Sequence, residues 1–205
     1  MSPTSAAPDP RLAAVILAAG GSSRLGRPKQ LLRYRGVALI ERALRLARRV
    51  AGRDVIVVLG DQQQRLRSLL RRRPGAGGRR CSIVNNARWA EGLATSLRAG
   101  IGAVPPTAAA VLILVVDQAK IEARDIDRLV SRWQKRPAKP AAARYADRAG
   151  VPAVIPRRWF REVATLAGDV GARQILRRLD GTSLVDMPAA AFDIDTPADA
   201  RSLGV

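Results

Sequence analysis

The stretch that organises the whole chain is residues 12–30, LAAVILAAGGSSRLGRPKQ. It opens with an apolar run, Leu12–Ala19, whose length suits one strand buried on both faces. The run stops at residues 20–23, Gly-Gly-Ser-Ser, where small side chains let the backbone turn sharply and bring its N–H groups up to a ligand. Three cations follow within six residues: Arg24, Arg27 and Lys29. A strand, a glycine turn and nearby cations together indicate a site for a triphosphate, because amides and cations both bind phosphate oxygens.

Turn chemistry alone leaves a second interpretation open, since glycine-rich turns also follow strands in α/β proteins that bind no phosphate. Two established phosphate motifs are absent. No Gly-Lys-Ser or Gly-Lys-Thr follows the turn, so it is not a P-loop, and the glycines do not have the Gly-x-Gly-x-x-Gly spacing of dinucleotide sites.

Apolar runs and amphipathic segments alternate along the chain, and this alternation predicts an α/β fold. Parallel strands joined by right-handed helical crossovers give a three-layer α/β/α, Rossmann-like architecture with a mostly parallel twisted sheet. The predicted strands are Ala13–Ala19, Val55–Leu59, Ser82–Asn85, Ala110–Val116, Ala141–Ala143, Val151–Ile155 and the edge strand Leu184–Val185. The predicted helices are Leu39–Val50, Gln62–Leu70, Leu93–Ile101, Ala123–Arg132, Arg158–Thr165, Gly171–Leu179 and a short one after Thr196 as its N-cap.

Length and composition favour one globular domain over residues 11–205, preceded by a tail. The chain has 205 residues, 47% of them hydrophobic, which is enough to build a core. Met1–Pro10 is rich in Pro, Ala and Ser, and we expect a disordered tail there, not a signal peptide. No apolar stretch approaches a membrane span. Cys81 is the single cysteine, so no internal disulfide can form, and we expect a cytoplasmic protein.

The absence of histidine excludes several kinds of site. Histidine general bases, Ser-His-Asp triads and histidine-ligated zinc are impossible, and one cysteine cannot hold an iron–sulfur cluster. A metal would have to be bound by carboxylates, which favours Mg²⁺.

The net charge of +19 raises the question of nucleic-acid binding. Only four of the 36 basic residues are lysines, and the arginines are spread along the chain, with one dense run over residues 71–80 that we leave without a role. Aromatic residues make up 3% of the chain, too few for base-stacking platforms. Specific nucleic-acid binding is therefore not favoured.

Acidic residues follow two further segments. Asp117 ends the most apolar strand, and ligands of open α/β sheets sit beyond the carboxyl ends of the strands. Asp117 is therefore either a Mg²⁺ ligand facing the glycine turn or the cap of the next turn. Asp193 and Asp195 alternate across Ile194, so an extended backbone points them to opposite sides and at most one faces the same crevice.

The stretch Leu17–Lys29 resembles the signature of the MobA-like nucleotidyltransferases, and is most similar to their molybdenum cofactor cytidylyltransferase (MocA) branch. The family pattern, Leu-Ala-(Ala/Gly)-Gly-x-Ser-x-Arg-(Met/Leu)-Gly-x-x-Lys, has all its fixed positions filled here. The resemblance extends over about residues 12–203 and implies the α/β/α fold of the nucleotide-diphospho-sugar transferase type.

The resemblance also implies site residues. Arg24 and Lys29 would bind the triphosphate, with Lys29 also offsetting charge in the transition state. Asp117 and Asp193 would hold Mg²⁺, with Asp195 as the alternative to Asp193. The nucleotide would lie against Leu17, Ala18, Ala19, Gly20, Gly21 and Ser22. Ala19 stands where guanylyltransferases usually have Gly, which favours CTP over GTP.

Two more segments match the branch. Asn86, Trp89, Gly92 and Ser96 have its spacing, which implies that Asn86, Gly92 and Ser96 contact nucleotide; a capped helix with Trp89 packed beneath it explains the same residues without a ligand. In the second segment, Gly168 and Asp169 would line the acceptor side, together with Gln118.

One departure concerns the residues after Asp117. The branch usually has Asp-Gln-Pro, and this chain has Asp117-Gln118-Ala119-Lys120. We expect the loss of proline to relax this turn, and Lys120 adds a cation.

These features predict a Mg²⁺-dependent nucleotidyltransferase in which a phosphate-bearing acceptor attacks the α-phosphorus of an NTP and pyrophosphate leaves. By resemblance the NTP is CTP, the acceptor is molybdopterin phosphate carrying Mo, and the partner is a molybdoenzyme or its maturation chaperone. The alternatives are molybdopterin guanylyl transfer and transfer to a sugar or alcohol phosphate. A hypothesis of another class is a non-catalytic, Arg-rich protein that binds nucleic acid or carries a cofactor.

Overall fold

The computed structural model of the chain describes residues 11–61, 63–72, 81–168, 176–177 and 183–204. Three predictions fall wholly or partly outside these ranges: the tail at residues 1–10, most of the helix Gly171–Leu179, and residues 73–80 of the arginine-rich loop at residues 71–80. Asp169 also lies outside the described residues.

In the part of the chain that the structure describes, nine strands and six α-helices have defined limits, and residues 176–177 are also helical. The strands are β1 Leu12–Ala18, β2 Arg33–Tyr34, β3 Val37–Ala38, β4 Val55–Leu59, β5 Ser82–Asn85, β6 Ala110–Val115, β7 Ala141–Tyr145, β8 Arg148–Pro156 and β9 Ser183–Asp186. The helices are α1 Leu39–Ala51, α2 Gln63–Arg72, α3 Leu93–Gly102, α4 Ala123–Gln134, α5 Phe160–Ala164 and α6 Pro197–Ser202.

Seven of these strands form one sheet in the order β5-β4-β1-β6-β8-β7-β9. Every neighbouring pair is parallel except the two that involve β8, which runs antiparallel to β6 and β7. The central strand β1 pairs with β4 and β6, so its apolar residues are buried on both faces. The predicted mostly parallel sheet is confirmed.

Helices cover both faces of the sheet, because alternate residues of each strand point to opposite sides. In β1, Ala14 and Ile16 pack towards α1, α2 and α4, whereas Val15 and Leu17 pack towards α3 and α5. Every helix in the described ranges is too short or too polar to cross a lipid bilayer. The predicted three-layer α/β/α architecture is confirmed.

The hairpin between β7 and β8 is tighter than the sequence suggests. The sequence predicts a turn at residues 147–150, but Tyr145 pairs with Arg148 and only Ala146 and Asp147 form the turn. Both have positive φ, 46° and 56°, as a two-residue turn between twisted strands requires. Gly150 marks a close approach of the Tyr145 ring within the hairpin and not a bend.

The sequence also does not predict the small β2–β3 hairpin, which turns at Arg35 and Gly36 with φ of 51° and 76°. Its strands are two residues long and too short to show an alternating pattern. The predicted helix Arg158–Thr165 is broken into a single 3₁₀ turn over Arg157–Trp159 and the short α5.

Candidate active site

Four parallel strands end at the same edge of the sheet, and polar residues follow each of them. The glycine turn follows β1, Asp61 follows β4, Asn86 follows β5, and Asp117 follows the end of β6. These polar residues, which are far apart in the sequence, therefore lie together at the carboxyl edge of the parallel sheet, where ligands of such sheets bind.

The glycine turn is held by hydrogen bonds within the loop, and its backbone at Gly20 is exposed. Ser22 has a left-handed conformation, with φ 54° and ψ 34°, and its carbonyl accepts from the N–H groups of Leu25 and Gly26. Its Oγ accepts from the backbone N–H of Lys29 at 3.1 Å, which joins the two ends of the loop. Gly20 is exposed, and no atom lies within 4 Å of the place where a Cβ would stand. A ligand can therefore approach the backbone at Gly20.

Gln30 supports this turn from below. Its side chain is buried, and Nε2 donates to the carbonyl oxygens of Ala18 at 2.9 Å and Gly20 at 3.0 Å. Its Oε1 has no hydrogen-bond partner among the described residues. Because glutamine is usually exposed, nothing in the local pattern marks Gln30 as a structural residue, and sequence reasoning missed it.

A compact ion cluster lies beside the turn. Lys29 Nζ donates to Asp117 Oδ2 at 2.7 Å and to Asp195 Oδ1 at 3.0 Å, and the Arg24 guanidinium donates to Asp195 Oδ2 at 2.9 Å. The Lys29 side chain is only 14% exposed. Burial by itself would lower the pKa of the Lys29 ammonium, but the Asp117 and Asp195 carboxylates outweigh burial and raise its pKa above the ordinary 10.5. Lys29 therefore stays charged at neutral pH.

The second carboxylate of the cluster comes from Asp195. The sequence predicts Asp193 as the second metal ligand, with Asp195 as the alternative. In the structure Ile194 is fully buried and its N–H donates to the Asp117 carbonyl at 3.2 Å, which fastens the two distant segments together. The alternation across Ile194 places Asp195 at Lys29 and leaves Asp193 exposed. Asp195 thus belongs to the ion cluster, and which of the two carboxylates binds metal stays a prediction.

Residues 117–121 are joined to other parts of the chain by side-chain hydrogen bonds, and the relaxed turn expected from the missing proline stays a prediction. The Arg42 guanidinium, from α1, donates to the carbonyl oxygens of Ala119 at 2.9 Å and Ile121 at 3.4 Å. Gln118 Nε2 donates to the carbonyl oxygens of Val151 at 3.0 Å and Ala190 at 2.8 Å. Sequence reasoning missed Arg42, because one arginine among many on a helix carries no distinguishing signal.

The contacts of Gln118 are those of a residue that holds this segment in place. Its side chain is buried, and its Oε1 has no partner in the ranges that the structure covers. Its predicted role in acceptor binding stays a prediction.

The predicted nucleotide contacts Asn86 and Ser96 are joined to each other. Asn86 Nδ2 donates to Thr95 Oγ1 at 2.8 Å and to Ser96 Oγ at 2.9 Å, and both Asn86 and Ser96 are buried. Gly92, with φ 110°, immediately precedes α3. This network joins the loop after β5 to the start of α3, as expected if these residues only cap the helix. Contact of Asn86, Gly92 and Ser96 with nucleotide stays a prediction.

Trp89 lies against the glycine turn. A Cβ on Gly60 would stand 2.5 Å from the Trp89 Cβ, and one on Gly21 would stand 3.0 Å from the ring. Asp61 is nearby, since its Oδ2 lies 3.5 Å from the same Gly21 position. The Gly168 carbonyl accepts from the N–H of Ala94 at 3.1 Å, so Gly168 caps the start of α3, and its predicted contact with the acceptor stays a prediction.

The ion cluster suits a magnesium ion that arrives with a nucleotide. Across the described residues, no group of three or more Cys, Asp or Glu side chains could hold a metal alone. The Asp117 and Asp195 carboxylates already share one cation, the Lys29 ammonium. Mg²⁺ in phosphate-transferring enzymes is usually held by one or two carboxylates plus substrate phosphates and water. The donor set fits that arrangement.

Comparison with known proteins finds relatives that cover most of the chain. Nicotine blue oxidoreductase of Paenarthrobacter nicotinovorans is 34% identical over 178 residues, covering 82% of this chain and 83% of that protein. The crystal structure of Rv0371c from Mycobacterium tuberculosis H37Rv is 30% identical, with a TM-score of 0.76 over 94% of this chain and 97% of that one. A structure of Rv0371C in complex with manganese is 27% identical, with a TM-score of 0.73 over 95% and 97%.

The model of the family described as MobA-like NTP transferase domain matches residues 14–183. This match includes the glycine turn, Lys29 and Asp117, which are the residues around which the site is built. Family membership implies a small-molecule nucleotide substrate. The chain belongs to the family of MobA-like NTP transferase domains.

Proposed function

We propose that this protein is a Mg²⁺-dependent molybdenum cofactor cytidylyltransferase, which transfers the cytidylyl group of CTP to the phosphate of molybdopterin and releases pyrophosphate. The observation that carries the proposal is the Lys29 ammonium between Asp117 and Asp195, next to the open glycine turn. Such a cluster offers both cations for phosphate oxygens and carboxylates for a metal ion.

Each group has a defined task in this reaction. The turn amides at residues 20–22 and the side chains of Arg24 and Lys29 bind the β- and γ-phosphates and stabilise the charge that moves onto pyrophosphate. Asp117 and Asp195 hold Mg²⁺, which supplies charge neutralisation at the reacting phosphate oxygens. A phosphate monoester is already an anionic nucleophile, so no histidine base is needed.

The acceptor enters over Lys120 and Phe192. Lys120 Nζ lies 3.3 Å from the centroid of the Phe192 ring, which is 46% exposed. Each residue stands three positions from a carboxylate of the ion cluster, Lys120 after Asp117 and Phe192 before Asp195. An aromatic face beside an ammonium suits a planar ring that carries a phosphate, such as a pterin. A cytoplasmic location and a molybdoenzyme or maturation chaperone as partner belong to the same proposal.

The test combines a nucleotide panel with an acceptor panel. Purified protein with Mg²⁺ is melted with CTP, GTP, ATP and UTP, and pyrophosphate release is then measured with molybdopterin and with sugar phosphates. We expect CTP to give the largest thermal shift and molybdopterin the fastest release. Preference for GTP, or turnover only with a sugar phosphate, would replace the proposal with one of the alternative transferases.

A second candidate is oxidoreductase activity, favoured by the name of the relative that is 34% identical. Such an enzyme needs an electron donor, and the described site is rich in charges that suit phosphates. Measuring NADH and NADPH oxidation with a quinonoid dye distinguishes the two. Dye-dependent oxidation that survives Asp117→Asn, with no pyrophosphate release from any NTP, would favour the oxidoreductase.

A further inference from the structure

We propose that Lys29 occupies the place of the divalent cation between Asp117 and Asp195 in the nucleotide-free protein, so that metal binds tightly only when a triphosphate draws the ammonium away. The inference rests on the proposed function for its choice of nucleotide and metal. It adds to that function a coupling between the two ligands, in which Lys29 makes metal affinity depend on nucleotide.

The Lys29 ammonium lies between the two carboxylates that would bind the divalent cation. Lys29 Nζ lies 2.7 Å from Asp117 Oδ2 and 3.0 Å from Asp195 Oδ1. Mg²⁺ binds carboxylate oxygens directly, so an ion held by both carboxylates would lie between the same two side chains as the ammonium. The Lys29 and Asp117 side chains are 14% and 20% exposed, so solvent screens the repulsion between the two cations only in part. Metal therefore competes with Lys29.

The same lysine can move to a bound triphosphate without disturbing the fold. Its backbone N–H is anchored to Ser22 Oγ at 3.1 Å, inside the loop formed by the glycine turn. Only the flexible four-carbon stem has to rotate for Nζ to reach an anion bound at the turn. A bound triphosphate offers the Lys29 ammonium several negative oxygens in place of the two carboxylates. Once Lys29 has moved, the carboxylates of Asp117 and Asp195 are available to the metal.

Competition of this kind makes the coupling reciprocal. Nucleotide raises the affinity for metal by the same factor by which metal raises the affinity for nucleotide. We expect a factor of about ten or more, which is within the range of couplings between neighbouring sites. Metal without nucleotide then binds weakly, and the enzyme assembles its metal site only on the correct substrate.

The experiment measures Mn²⁺ binding directly, by the EPR signal of free Mn²⁺, on the whole protein with and without the non-reacting analogue α,β-methylene-CTP. In the natural protein we expect Mn²⁺ to bind at least tenfold more tightly with the analogue. In Lys29→Met we expect Mn²⁺ alone to bind at least tenfold more tightly than in the natural protein, so that the further gain from the analogue, which supplies phosphate ligands in both proteins, is smaller than in the natural protein. Lys135→Met, which removes an exposed lysine at the end of α4, serves as the matched control.

Equal Mn²⁺ affinities of the natural protein and Lys29→Met, both without nucleotide, would overturn the inference. Lys29→Gln, whose neutral amide can still donate to the carboxylates, carries the same test if the methionine variant does not fold. Failure of the proposed function looks different. If Lys29→Met releases the competition but the natural protein transfers nothing from CTP, the proposed reaction alone is wrong. If the natural protein transfers from CTP but Lys29→Met leaves the Mn²⁺ affinity unchanged, only the role of Lys29 is wrong.

Discussion

Replacing Asp195 with asparagine keeps the size of the side chain and removes its charge, and so tests whether Asp195 is the second carboxylate of the metal site. Asp195 accepts from Lys29 Nζ at 3.0 Å and from Arg24 at 2.9 Å. Asp195→Asn should therefore weaken both the ion cluster and the transfer of the nucleotidyl group.

The structure sets the size of both effects. At an effective dielectric constant of about 20, unit charges separated by the 3.0 Å of the Lys29–Asp195 contact attract by about 5 kcal/mol. The Asp195 side chain is 38% exposed, so solvent screening and desolvation reduce the net contribution to about 1 kcal/mol. That loss lowers the melting temperature by about 2–4 °C. Losing one of two metal carboxylates costs more in the transition state, and we expect transfer to slow about 100-fold, or about 2.7 kcal/mol.

The assay is pyrophosphate release from CTP and molybdopterin over a range of Mg²⁺ concentrations, together with thermal unfolding of each variant. Asp186→Asn is the matched control. It removes a carboxylate from an exposed ion pair with Arg144, at 2.6 Å, outside the ion cluster. It should leave transfer unchanged. Asp193→Asn tests the competing assignment and should slow transfer less than fivefold.

Two results would refute this reasoning. A 100-fold loss in Asp193→Asn with little change in Asp195→Asn would return the metal ligand to Asp193. Full activity in both variants, at low as well as high Mg²⁺, would show that no second carboxylate from this segment binds the metal.

The remaining predictions concern the turn, the acceptor side and the last helix. Gly60→Ala should lower the free energy of unfolding by about 1–3 kcal/mol in urea, because its Cβ would stand 2.5 Å from the Trp89 Cβ; an unchanged urea midpoint would contradict this packing. Phe192→Ala should raise the KM for the acceptor about fivefold at an unchanged KM for CTP, and equal rises in both would argue against acceptor stacking. Hydrogen bonds from Thr196 lower the pKa of Asp199 below 3.8, so its stabilisation is present above that pH and is lost as pH falls through the lowered value. Melting curves of the natural protein and Asp199→Ala should therefore converge at low pH, and a constant difference would exclude this titration.

Much of the fold could be predicted from local patterns. β4 and β5 have the predicted limits, because short β-branched or apolar runs between turn residues are strong strand signals. The last helix begins after Thr196 as expected, and its capping box with Asp199 is a signal contained within four residues. The β7–β8 turn was harder to locate, since Ala146 and Asp147 adopt positive φ without the glycine that usually marks it.

Some features of the candidate site could likewise be predicted from local sequence, and others could not. Apolar periodicity and the glycine turn are properties of neighbouring residues, so the chain's local chemistry was enough to predict the α/β class, the position of the glycine turn and Asp117 as a residue of interest. The contact of Asp195 with Lys29, and the supporting roles of Gln30 and Arg42, required the folded chain. Lys29 meets Asp117 and Asp195 across separations of 88 and 166 residues, and contacts of that range depend on strand order and on the side to which each segment turns. No local pattern encodes either of these.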